Sequence, residues 1–163
     1  MIVVADTTPL ISLLKIGHFD ILNKLYGTVH IPKAVFDELT LNADFGDEAE
    51  IVKKASFLQI RTDISHEKVD LLRRAANLDL GESEAIILAD SEDTKLLLID
   101  EVHGRIVAQQ MNIPVTGVIG VLAAAYKKQI LSSEEIKKSV QLMKATNRFI
   151  SDRLYNILLE LVK

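Results

Sequence analysis

The chain has 163 residues, 48% hydrophobic and 26% charged, with a formal net charge of −4; that length suits one domain with a sizeable core and no covalent staples. It contains no cysteine, which excludes a disulfide framework, a thiolate metal site and a cysteine nucleophile. No basic segment leads into an apolar run of signal-peptide length, and no run approaches the roughly 18 apolar residues of a membrane helix. The expected location is therefore the cytoplasm, with no membrane partner.

Along the chain, short apolar runs alternate with helical patterns. Residues 2–5 form the first run, wholly apolar and suited to a strand buried on both faces of a parallel sheet. Thr8 and Pro9 then open a helix as N-cap and first helical residue, and Gly17 closes it. A second strand is expected at 29–31, followed by a helix that Pro32 opens and that runs to Leu39. Residues 42–48 look like an exposed acidic loop, and 57–60 a third strand. A helix over 81–90, a strand over 96–99 and a brief strand near Pro114 and Val115 come next. Helices over 117–128, 134–145 and 151–162 complete the chain. The second of these is announced by a capping box at Ser132-Ser133-Glu134-Glu135, and the last carries Leu154, Ile157, Leu158 and Leu161 at helical spacing. The alternation predicts an α/β fold in a single domain over 1–163, with the helices from about 133 packing on the rest.

Two acids follow strands directly: Asp6 after the first and Asp100 after the run 96–99. In a parallel sheet both would project from carboxyl ends of strands, where open α/β folds place their ligands; either could instead simply cap the following helix. Asp37 stands four residues after Lys33 as an outward ion pair. Glu38, by contrast, shares a face with Ala34 and Val35, and Glu82 is in register with Ala85, Ile86 and Ala89. An inward carboxylate without a cation or a strong donor is expensive. The alternative for Glu38 or Glu82 is a buried acid bonded to backbone N–H groups, and Glu84 is expected to be solvated or to serve a cap. Two unit charges 4 Å apart at an effective dielectric near 20 repel by roughly 4 kcal/mol. A divalent cation would resolve that conflict, and an all-oxygen donor set points to Mg²⁺ or Mn²⁺ and to phosphodiester hydrolysis.

Other chemistries fit less well. His18, His30, His66 and His103 lack zinc-site spacing, and neither a nucleophile elbow nor a Gly-rich phosphate loop occurs. His30 is expected to be a satisfied strand histidine; His103 and Arg105 lie close enough to Asp100 to matter, Arg105 as a phosphate contact or a helix-face ion pair. A phosphorylatable receiver domain is disfavoured because no lysine follows the strand near Val115. The net charge of −4 means that any hold on nucleic acid rests on local patches. The doublets Lys53-Lys54, Arg73-Arg74, Lys127-Lys128 and Lys137-Lys138, with Arg148 and Arg153, are expected to be solvated helix faces.

Five pieces of sequence together resemble the PIN-domain family. They are Asp6-Thr7-Thr8-Pro9-Leu10-Ile11, Ile31 through Leu39 beginning Ile31-Pro32-Lys33, Leu80-Gly81-Glu82-Ser83-Glu84-Ala85, Leu97-Leu98-Ile99-Asp100-Glu101 with His103-Gly104-Arg105, and Gly117-Val118-Ile119-Gly120. They span residues 1 to about 130. The resemblance implies a three-layer α/β/α fold with a central, mainly parallel sheet, and a Mg²⁺- or Mn²⁺-dependent endoribonuclease acting on RNA. By position it assigns Asp6, Glu38, Glu82 and Asp100 as metal ligands and catalytic acids, with Thr8 in support. Glu84 stands as the alternative to Glu82, and Glu101 as the alternative or companion to Asp100. The resemblance also implies the toxin of a toxin–antitoxin pair, with a small antitoxin partner and a homodimer. A PIN-like binding module with little catalysis is the rival reading.

Overall fold

Strands β1 (Ile2–Ala5), β2 (Val29–Pro32), β3 (Leu58–Arg61), β4 (Thr94–Leu98) and β5 (Val115–Thr116) form one all-parallel sheet in the order β3-β2-β1-β4-β5. The structure is a computed structural model, and it describes residues 2–146 and 150–163; Arg148 lies outside the described residues. The chain leaves β1 toward β2 and β3, then returns past β1 to build β4 and β5 on its other side. The order thus reverses between β1 and β4, and a parallel sheet opens a crevice at the carboxyl ends of its strands at such a point.

The period-two alternation of a strand divides the core into two halves. Val3 and Ala5 of β1, Val29 and Ile31 of β2 and Leu98 of β4 enter one cluster. Val4 of β1 and Leu97, with Ile99 just beyond β4, enter the other. The first half is covered by α1 (Thr7–Lys15), α2 (Ile21–Tyr26), α3 (Lys33–Leu41), α8 (Val118–Lys127), α9 (Ser133–Thr146) and α10 (Asp152–Leu161). The second is covered by α5 (His66–Ala76), α6 (Leu80–Ser91) and α7 (Val102–Gln110). The result is a three-layer α/β/α arrangement. No helix among the described residues is long and apolar enough to cross a membrane.

Local chemistry explains the helix ends. Gly17 takes a left-handed φ of 76° just past α1, and its N–H returns to the Leu14 carbonyl. Ser132 and Glu135 form the reciprocal capping box of α9: Glu135 N–H donates to Ser132 Oγ, and Ser132 N–H donates to Glu135 Oε1.

The structure corrects several expectations. Helix α1 begins at Thr7 with Asp6 as its N-cap residue, so Thr8 and Pro9 lie within the first turn. The expected acidic loop is a short 3₁₀ turn (Ala43–Phe45) followed by α4 (Gly46–Lys54). Asp47 and Glu48 occupy the first turn of α4 and Lys53 and Lys54 its last, the charge order that complements a helix dipole. Strand β3 is not buried on both faces: it is the edge strand, and Gln59 and Ile60 are exposed. The stripe read on the last helix is displaced too. Tyr155, Leu158 and Val162 face the core, whereas Leu154, Ile157 and Leu161 are 41%, 53% and 38% exposed.

Candidate active site

The carboxyl ends of β1 and β4 deliver two acids to the crevice. Asp6 follows β1, and its N–H donates to the Leu98 carbonyl of the neighbouring strand at 2.9 Å, which ties it to the end of β4. It is only 3% exposed. Burial pushes its carboxyl up to about 7, and the charges of Glu82, Asp79 and Glu38 push the same way, against the Thr7 backbone N–H. Beside it the hydroxyl of Thr7 is buried without a hydrogen-bond partner among the described residues. A Cβ built at Gly81 would lie 3.7 Å from both Asp6 Oδ1 and Thr7 Oγ1, so the start of α6 closes directly over the pair. Thr8, in contrast, lines a cleft of about 210 Å³ with Phe45 and Met143. The hydroxyl next to Asp6 is that of Thr7.

Asp100 stands two residues beyond β4 and accepts the Val118 N–H at 3.1 and 3.3 Å, capping the start of α8. Burial holds its carboxyl up at about 6, offset by that N–H and by the charge of Arg105. Gly117 makes the approach feasible: a Cβ there would sit 2.1 Å from Asp100 Oδ1 and 3.0 Å from Arg105 Nη1. Arg105, half-buried on α7, donates to the Ile99 carbonyl at 3.3 Å.

Helix α6 brings the remaining acids. Asp79 is its N-cap and forms a capping box with Glu82: Glu82 N–H donates to Asp79 Oδ1 at 2.8 Å, and Asp79 N–H donates to Glu82 Oε2 at 3.3 Å. Glu82 is half-buried; burial raises its carboxyl, as do the charges of Asp79 and Glu101, while the Asp79 N–H and His103 lower it. Gly104 on α7 allows this, since a Cβ there would lie 3.9 Å from the Glu82 carboxyl carbon and 2.7 Å from Ile99 Cδ1. Glu84 instead reaches α3 and accepts the Ala34 N–H at 3.2 Å, a cap across two helices. Glu101 is the exposed N-cap residue of α7. Glu38 is exposed on α3 rather than turned inward, although its charge reaches Asp6. Asp37 does pair with Lys33, at 2.7 Å.

The structure therefore groups Asp6, Glu82 and Glu38 by their charges and sets Asp100 on the adjacent strand end. It adds Asp79, whose signal was available as the Asp79-Leu80-Gly81-Glu82 capping pattern, and Thr7, for which no sequence signal existed. An Asp79→Ala variant should lose about 1 kcal/mol of stability with the cap, read as a lower urea midpoint at unchanged slope.

In chemistry and charge the set fits an oxygen-seeking divalent ion: the donors are carboxylates and a hydroxyl, mutually repelling and partly desolvated. In geometry, no group of three or more acids or histidines among the described residues already converges as a cage. The histidines serve elsewhere. His103 bonds the Ala76 carbonyl, tying α7 to the end of α5, and His30 faces Arg61 with Nδ1 and Nη1 3.3 Å apart. The described basic doublets are exposed, and Lys53, Arg74 and Lys137 pair with acids on their own helices.

A family model for the PIN domain matches residues 2–163. No curated protein and no solved structure matches the chain.

Proposed function

Since the chain belongs to the PIN-domain family, whose fold is that of a nuclease, we propose that it is a Mg²⁺- or Mn²⁺-dependent endoribonuclease. The observation that carries the reading is Asp6: a carboxyl 3% exposed at the reversal point of the sheet, pushed up to about 7 by burial and three neighbouring acids. Buried carboxyls held at such a cost in a strand-end crevice cluster at functional sites, which supports a cation ligand here. Asp6, Glu82 and Asp100 would hold the ion, with Glu38, Asp79 and Glu101 contributing from the rim. When bound, a divalent ion makes water a better nucleophile and neutralises charge on a phosphodiester. The chain's own groups do the rest. The Val118 N–H fixes the Asp100 carboxylate, the α6 cap fixes Glu82, and Arg105 supplies a cation beside Asp100.

The family resemblance supports a toxin of a toxin–antitoxin pair, working as a homodimer in the cytoplasm and held inactive by a small antitoxin. One observation favours a second reading, a catalytically weak binding module: no three ligating side chains converge among the described residues. Incubating the protein with a fluorescent single-stranded RNA pool in Mn²⁺ separates the two. The nuclease reading expects cleavage that EDTA and Asp6→Asn both abolish. RNA left intact at all metal concentrations, with no rise in melting temperature on adding Mn²⁺, would leave the binding module.

A further inference from the structure

A cleft of about 260 Å³ opens beside Asp100, between α8 and α10. Asp100 and Arg105 line one end of it. Its floor is made of the small residues Gly117, Gly120 and Ala123 on one side of α8, and its far wall of Leu154, Ile157 and Leu161 on α10. These three leucine and isoleucine side chains are the exposed apolar stripe of the last helix, left uncovered although Tyr155 and Leu158 of that helix are buried.

The polar end is unusual in its pairing. Asp100 Oδ1 and Arg105 Nη1 both lie within 3.0 Å of where a Cβ on Gly117 would sit, yet Arg105 forms no ion pair among the described residues. Its one hydrogen bond there goes to a backbone carbonyl, that of Ile99. A guanidinium presents five donors in a fixed fork that matches phosphate oxygens, so among the described residues most of its capacity is unspent. It is also the basic group that acts on Asp100, at an edge otherwise crowded with acids. A polyanion reaching that edge needs a fixed cation there, and the cleft continues from the cation into an apolar slot. Small-molecule sites commonly hold roughly 300–1,000 Å³; about 260 Å³ suits one flat ring system rather than a larger ligand.

We propose that this cleft is a nucleotide subsite: Arg105 takes a phosphate next to the scissile one, and the attached base lies on the Gly120–Ala123 floor against Leu154, Ile157 and Leu161. The proposal rests on the ribonuclease reading for its substrate, and it adds where the RNA strand runs, over α8 toward α10. The apolar end offers surface rather than hydrogen-bond donors, so the subsite selects for the presence and size of a base more than for its identity.

Four variants test it, read by binding of a labelled single-stranded RNA in EDTA and by cleavage in Mn²⁺. Ala123→Phe fills the floor; Ile157→Asp, at an exposed position, places a negative charge on the wall without disturbing the core. Each should raise Kd and KM about tenfold, the scale of one base contact, while kcat changes little. Arg105→Ala should weaken binding at least as much, and Arg105→Lys should restore only part of it. An RNA with an abasic position should lose affinity for the wild type and lose little further for Ala123→Phe. Unchanged Kd and KM in both cleft variants, at wild-type melting temperatures, would overturn the subsite. So would variants that alter only the sedimentation of the protein, which would make the cleft a surface for a second copy. RNA binding that depends on the cleft in a protein that never cleaves would sink the ribonuclease reading and leave the subsite standing.

Discussion

An Asp6→Asn variant should melt about 8–16 °C above the wild type at pH 8 in EDTA, and at nearly the same temperature as the wild type near pH 4. The sign follows from where the proton sits. The folded protein holds the Asp6 proton up to about 7, whereas the unfolded chain releases it near 3.8. Between those values the native state binds more protons than the unfolded one, so stability falls as pH rises through this window. Below it both states are protonated and the cost vanishes; above it the cost is complete, at about 4 kcal/mol for the full difference. Asparagine imitates the protonated acid and removes the dependence. Asp100, raised to about 6, adds a smaller fall of the same sign to the wild type and to the variant alike. Mn²⁺ should narrow the gap by stabilising only the wild type. The variant that is more stable is therefore also expected to be inactive, with cleavage at background. An equal or lower melting temperature for Asp6→Asn at pH 8 would show that the buried carboxylate is compensated by something other than a ligand.

The second large effect is expected at a residue with no chemistry of its own. Gly117→Ala should reduce RNA cleavage at least about 100-fold, the usual consequence of misplacing a catalytic group by an ångström, while costing about 1–3 kcal/mol of stability as an overpacking change. The backbone there has a φ of −110°, which any residue adopts; the objection is space. A Cβ at 2.1 Å from Asp100 Oδ1 forces the carboxylate off the Val118 N–H, and at 3.0 Å from Arg105 Nη1 it crowds the guanidinium as well. Gly46→Ala is the control, because a Cβ there meets nothing within 4 Å. Full activity in Gly117→Ala, with melting temperature lowered as expected, would mean that Asp100 is not needed where it stands.

The framework of this fold was legible because its signals are local. Short apolar runs ending at Asp6 and just before Asp100 marked the central strands, since strands buried on both faces need no alternation. Capping chemistry at Ser132 and Glu135 and the stop at Gly17 depend on neighbours within a few residues. The less visible helices are those that bury little. Helix α5 buries Val69 alone among its own residues, although Ser65 caps it and Asn77 ends it in a left-handed turn with φ 55°. Helix α7 buries Gly104, Val107 and Ala108, too few and too small to produce an apolar stripe. The start of α4 resembled a loop because acids favoured by a helix N-terminus also favour solvent.

By itself the sequence determined the α/β alternation, the two acids at strand ends, the Lys33–Asp37 pair and the family to which the chain belongs. Only the tertiary structure decided which groups share a space. It turned Glu38 to solvent, sent Glu84 to the Ala34 N–H, drew Asp79 to the neighbourhood of Asp6, buried the Thr7 hydroxyl there, and left one face of α10 open beside Arg105. The reason is the range of the forces involved. Strand and helix signals are written between residues a few positions apart. Desolvation and charge repulsion depend on what the sheet order brings within a few ångströms, here β1 against β4 and α6 above both.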